Sequence, residues 1–95
     1  MEGRFFVFTT PGFDRELKKI VKKDRDVITT YEKALGTLFV DPLNLKKIRD
    51  IKKLAGVKQS EGEWRIRMGN YRIRYDVIHN RVILHTIKNR KDVYK

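Results

Sequence analysis

Apolar and polar residues change rhythm twice along this chain. Arg4 to Thr9 alternates weakly and is rich in aromatics, which predicts a first strand. Thr10 before Pro11 reads as an N-cap with proline in the first helical turn. Phe13, Leu17, Ile20 and Val21 recur at helical spacing, so a helix should run to about Lys23. Asp24 can cap a second helix whose stripe is Val27, Tyr31, Leu35 and Leu38. Gly36 weakens that helix locally, and Asp41-Pro42 ends it. Both stripes read as core, and the short joint between them predicts a helical hairpin.

Leu43 to Leu54 fits two descriptions. Leu45, Ile48 and Ile51 are spaced for a helical turn or two, yet the segment equally suits an irregular basic crossing. Beyond Ala55-Gly56 the period becomes two. Trp64, Ile66 and Met68 alternate with Arg65 and Arg67, and Gly69-Asn70 makes a two-residue turn. Tyr71, Ile73, Tyr75 and Val77 then alternate with Arg72, Arg74 and Asp76. His79-Asn80 is a second turn, with His79 a turn residue, before a strand from Arg81 to Ile87. The predicted class is α+β: an N-terminal strand, a helical hairpin and an antiparallel three- to four-stranded meander. Residues 1–95 are read as a single domain.

Pairing these strands on their turns locates the chemistry. The first turn sets Met68 against Tyr71, Arg67 against Arg72 and Arg65 against Arg74. The second sets Arg74 against His85 and Asp76 against Ile83. Side chains alternate between faces, so Arg65, Arg67, Arg72, Arg74 and His85 should share one face, with Trp64, Ile66, Met68, Tyr71, Ile73 and Tyr75 turned to the helices. Like charges opposite one another across a sheet are destabilising, and guanidinium groups bind phosphate bidentately. A phosphodiester is therefore the expected ligand. The competing description pairs one or two arginines with Asp76, Asp92 or Glu63 on the rim.

Charge placement supports a polyanion. The formal charge is +11, and all of the excess lies in the second half. Leu43 to Lys58 carries six basic residues and one acid, and Trp64 to Lys95 carries nine basic residues and two acids. The alternatives are a solvated basic face or a site for an acidic protein. Lys46, Lys47, Lys52 and Lys53 could meet RNA, acidic protein or water. The chain lacks cysteine, which excludes disulfides, thiolate zinc sites and cysteine nucleophiles. Two histidines and scattered acids make no metal-ligand spacing, and there is no P-loop, so no cofactor is expected. No segment has the apolar length of a signal peptide or membrane span, which suggests a cytoplasmic protein with no membrane partner.

The ordered set Asp41-Pro42, Lys53-Leu54-Ala55-Gly56, the block from Trp64 to Tyr75, and Asn89-Arg90 with Asp92-Val93-Tyr94 resembles the RelE/ParE toxin family. The resemblance implies a RelE-like fold and a toxin of a type II toxin–antitoxin pair, bound by its cognate antitoxin in a hetero-oligomer. Its RelE-like branch implies an mRNA endoribonuclease acting in the ribosomal A site, by attack of a ribose 2′-hydroxyl on the adjacent phosphate. By motif match the cutting residues would be Arg65, Arg67, Arg72, Arg90 and Tyr94, with Tyr94 as proton acceptor. Lys46, Lys47, Lys52, Lys53, Arg74 and His85 would bind RNA. From composition alone, Tyr94 could equally be an aromatic packed at the sheet edge. Two positions depart from the RelE-like pattern. Arginine stands at 65 and 67 where lysines are common, and Asn89 stands where many relatives carry histidine. Both departures remove acid–base groups, because arginine keeps its proton. The resemblance also allows a ParE-like inhibitor of DNA gyrase, or an inactive relative that binds RNA or antitoxin.

Overall fold

The computed structural model describes residues 4–93, with the side chains described through Lys91. In chain order the elements are β1 (Phe6–Thr9), α1 (Pro11–Lys23), α2 (Val27–Leu38), β2 (Ile51–Lys53), β3 (Trp64–Met68), β4 (Tyr71–Ile78), β5 (Arg81–Asn89) and the short α3 (Arg90–Val93). The strands form one mixed sheet in the order β1-β5-β4-β3-β2. From β2 to β5 the chain is a four-stranded antiparallel meander. The N-terminal β1 returns to the far edge and runs parallel to β5.

Local chemistry explains the helices. Thr10 Oγ1 accepts the Phe13 N–H at 3.1 Å, and Pro11 occupies the first turn of α1, where an N–H has no partner to lose. Asp24 serves the joint to α2: its carboxylate accepts the Asp26 N–H at 3.0 Å and the Tyr71 hydroxyl at 2.6 Å. The joint is thereby tied to the sheet. The segment after Asp41-Pro42 is an irregular crossing and then β2, with no helix. Asp41 explains the crossing, because its buried carboxylate accepts the Leu45 and Lys46 N–H groups at 2.8 and 3.1 Å.

One face of the sheet carries the core. Phe13, Val27, Ala34 and Leu38 from the helices close over Ile66, Tyr71, Ile73, Tyr75, Val82, Leu84 and Ile87. Tyr75 is fully buried and donates its hydroxyl to the Pro42 carbonyl at 2.6 Å. Burial, reinforced by the Asp41 carboxylate and opposed by Arg65, holds its pKa well above the ordinary 10.0. Tyr75→Phe should cost about 1–2 kcal/mol by orphaning that carbonyl, a loss readable by urea unfolding. The hydroxyl's contribution is complete below pH ~10. It declines above that, where the unfolded tyrosine ionises and the folded one does not.

The hairpins fall where the turns were expected, at Gly69-Asn70 and His79-Asn80, with Gly69 and His79 at φ 59° and 56°. None of the described helices is long and apolar enough to cross a membrane.

Candidate nucleic-acid interface

The second face of the sheet carries no helix, and the β-ladder fixes what it displays. Arg65 pairs with Arg74 and Arg67 with Arg72, as the turn predicts. Lys52 on β2 pairs with Arg65, and Lys88 on β5 with Arg72. Since paired residues share a face, the open side holds two rows: Lys52–Arg65–Arg74–Thr86 and Arg67–Arg72–Lys88. Between the rows lies a depression of about 140 Å³ lined by Leu54, Arg65, Arg72, Arg74, Thr86 and Lys88. Two larger recesses lie elsewhere. One of about 360 Å³ between α1 and the end of β5 mixes Glu16 and Asp24 with lysines, and one of about 340 Å³ lies below α2. Neither gathers arginines.

The arginines are held in different ways. Arg65 is buried, and its Nη1 lies 3.1 Å from Asp50 Oδ1. The Nε of the more exposed Arg67 lies 3.3 Å from Asp50 Oδ2. One carboxylate thus bridges two guanidiniums, as a phosphate would. The expected rim acids do not take this role. Glu63 makes no ion pair with the arginines among the described residues, and Asp76 is committed elsewhere. The side chain of Asp92 lies outside the described residues. Arg74 needs no acid at all, because its Nε donates to the Gly62 carbonyl at 3.0 Å and its Nη2 to the Glu61 backbone carbonyl at 2.9 Å. Lys88 pairs with Glu16, which also accepts the Ile87 N–H.

Asp50 is the single acid among the six bases of residues 43–58, which was the only sequence signal for its role. Removing its charge frees both guanidiniums. Asp50→Asn should therefore raise affinity for single-stranded RNA several-fold at low salt and steepen its salt dependence, in a fluorescence-anisotropy titration.

The pairing of Arg74 with His85 is corrected. A β-bulge shifts the register here, so Arg74 faces Thr86 and Tyr75 faces Leu84, leaving His85 as the extra residue. The insertion explains why the buried positions on β5 step from Leu84 to Ile87. His85 still reaches the open face, where its Nε2 lies 2.6 Å from Asp76 Oδ2. Asp76 is completely buried, and it also accepts the Gly62 and Glu63 N–H groups at 3.2 and 3.1 Å.

The remaining expected residues scatter. Lys52 joins the arginine row, whereas Lys53 pairs with Trp64 and falls on the helix side of the edge strand. Lys46 borders the recess below α2, and Lys47 is exposed in the same crossing. Arg90 is exposed, and its N–H donates to the Asn70 carbonyl at 2.6 Å, so it starts α3 beside the β3–β4 turn. Tyr94 lies outside the described residues.

A family model described as the ParE toxin of the type II toxin–antitoxin system parDE matches residues 7–94. A chain of the RelB–RelE antitoxin–toxin complex from Methanococcus jannaschii is similar at 29% identity, with a TM-score of 0.57 over 92% of this chain and 94% of that one. YafQ from E. coli strain BL21(DE3) has the same fold, with a TM-score of 0.68 over 96% of this chain and 99% of that one, at 10% identity. No curated protein sequence matches the chain significantly. The family match spans the helical hairpin and the whole arginine-bearing sheet, so the chain belongs to the RelE/ParE family of type II toxin–antitoxin toxins.

Proposed function

We propose that this toxin is a metal-independent endoribonuclease that enters the ribosomal A site and cuts mRNA, thereby inhibiting translation in the cytoplasm. The observation that carries the proposal is the gathering of Arg65, Arg67, Arg72 and Arg74 on one helix-free sheet face, with the Asp50 carboxylate bridging two of them. The cut is attack of the ribose 2′-oxygen on the adjacent phosphorus, with departure of the 5′-oxygen and formation of a 2′,3′-cyclic phosphate. Negative charge builds on the phosphorane, and Arg65, Arg67 and Arg72 supply fixed donors aimed at it. Tyr94 accepts the 2′-hydroxyl proton, and Arg90 steadies the leaving group. Arg74, His85, Lys52 and the more distant Lys46, Lys47 and Lys53 hold the flanking RNA. A cognate antitoxin silences the toxin in a hetero-oligomer, as the RelB–RelE complex of the similar M. jannaschii chain suggests.

The family description favours a second reading, a ParE-like toxin, for which the resemblance implies action on DNA gyrase. A reconstituted translation system separates the two. Antitoxin-free protein should cut ribosome-bound mRNA and leave gyrase supercoiling unaffected. Intact mRNA together with blocked supercoiling would reverse the assignment.

A further inference from the structure

We propose that His85 is the proton donor to the departing 5′-oxygen, with Asp76 as its positioning residue. The inference rests on the endoribonuclease reading and supplies what that reading lacks. The arginines keep their protons at any working pH, and Tyr94 is occupied in taking the 2′-hydroxyl proton. The chain has two histidines, and His79 is spent in the exposed β4–β5 turn.

Three independent features single out His85. The first is the bulge, which places His85 and Thr86 together on the open face between the buried Leu84 and Ile87. Bulges commonly re-aim a side chain beside an active site. Thr86, the neighbour of His85 in the bulge, lines the arginine depression. The second is the pairing with a carboxylate that has no solvent exposure, while the imidazole side chain keeps 24% of its own. The close approach of Asp76 Oδ2 is to Nε2, which leaves Nδ1 as the nitrogen to exchange a proton. A buried carboxylate beside an imidazole fixes the orientation of the ring. The third is Gly62, which binds both parts of the site: its N–H goes to Asp76 and its carbonyl to Arg74 Nε. At φ +76° and with a Cβ position only 3.1 Å from Arg74 Cβ, this place suits glycine alone.

In the step, the 2′-oxygen–phosphorus bond forms as the phosphorus–5′-oxygen bond breaks. The imidazolium proton passes to the 5′-oxygen, leaving neutral imidazole and a 5′-hydroxyl product. The charged groups on the elements packed around His85 include Arg72, Arg74 and Asp76 on β4, Arg65 and Arg67 on β3, Arg81 and Lys88 on β5, Glu16 on α1, and Glu61 and Glu63 in the loop before β3. Thr10, at the start of α1, donates to the His85 carbonyl.

The test compares His85→Gln with wild type on ribosome-bound mRNA carrying either the natural 5′-oxygen or a bridging 5′-sulfur at the cut site. Glutamine retains a donor for Asp76, and thermal unfolding confirms the fold. A thiolate leaves without a proton. The variant should cut the oxygen substrate about 10²–10⁴-fold more slowly, lose the acidic dependence on a protonated group, and cut the sulfur substrate at the wild-type rate. Equal slowing on both substrates, or no slowing on either, would overturn the donor role while leaving the nuclease intact. Failure of wild type to cut either substrate would remove the nuclease reading and this inference together.

Discussion

Arg72→Ala should lower translation-dependent mRNA cleavage by about 10²–10³-fold, the loss typical of removing one preorganised donor to developing charge. Arg72 lies on β4, the central strand, with Arg67 on one side and Lys88 on the other. Its position is set by both neighbouring strands, so no flexible segment can substitute for it. Its side chain is on the helix-free face, and truncation opens no hole among Tyr71, Ile73 and Tyr75. Thermal unfolding of the variant separates any structural share of that loss from the catalytic one. Cleavage at the wild-type rate by a folded Arg72→Ala protein would remove the arginine rows from the chemistry. Lys at this position is a graded test, because it keeps the charge and gives up the planar fork.

The largest expected effect on stability belongs to Asp76→Ala. The side chain is buried, accepts hydrogen bonds from the Gly62 and Glu63 N–H groups, and has His85 Nε2 2.6 Å from its Oδ2. Alanine strands two backbone donors and unties the loop before β3 from the open face. At roughly 1–3 kcal/mol for each orphaned buried group, the variant should lose about 3–5 kcal/mol. For a domain of this size that corresponds to a fall of at least about 12 °C in Tm. Calorimetry at neutral pH measures it directly, and a fall of only a degree or two would show that the loop finds other partners. Asp76→Asn should lose less, since one acceptor oxygen remains.

Much of this site was legible because period-two patterning and a two-residue turn fix a register by themselves. Gly69-Asn70 determined that Arg65 meets Arg74 and Arg67 meets Arg72, and both pairs are found. The β5 register was legible only up to the bulge. Val82, Ile83 and Leu84 are all apolar, so the run conceals which residues face the core and where an extra one enters. The parallel pairing of β1 with β5 joins residues more than seventy positions apart, and no local pattern records it. β2 was hidden for another reason: Ile51-Lys52-Lys53 has one apolar residue, too few to show a period. Asp50 was visible as a lone acid in a basic run, yet its function as a bridge depends on β2 lying against β3. His85 was placed on the correct face for an incomplete reason, since the insertion that turns it there could not be read.

The two edges of the sheet have different consequences for how the free toxin behaves in concentrated solution. β2 is three residues long and carries Lys52 and Lys53, the shortness and charge that discourage strand-to-strand stacking between molecules. β1 has neither lysine nor proline, and it displays Phe6 and Phe8 at 60% and 49% exposure. Self-association of toxin released from its antitoxin should therefore begin at β1. The high net charge then acts as a colloidal brake: salt that weakens RNA binding also removes the repulsion that keeps those phenylalanines apart.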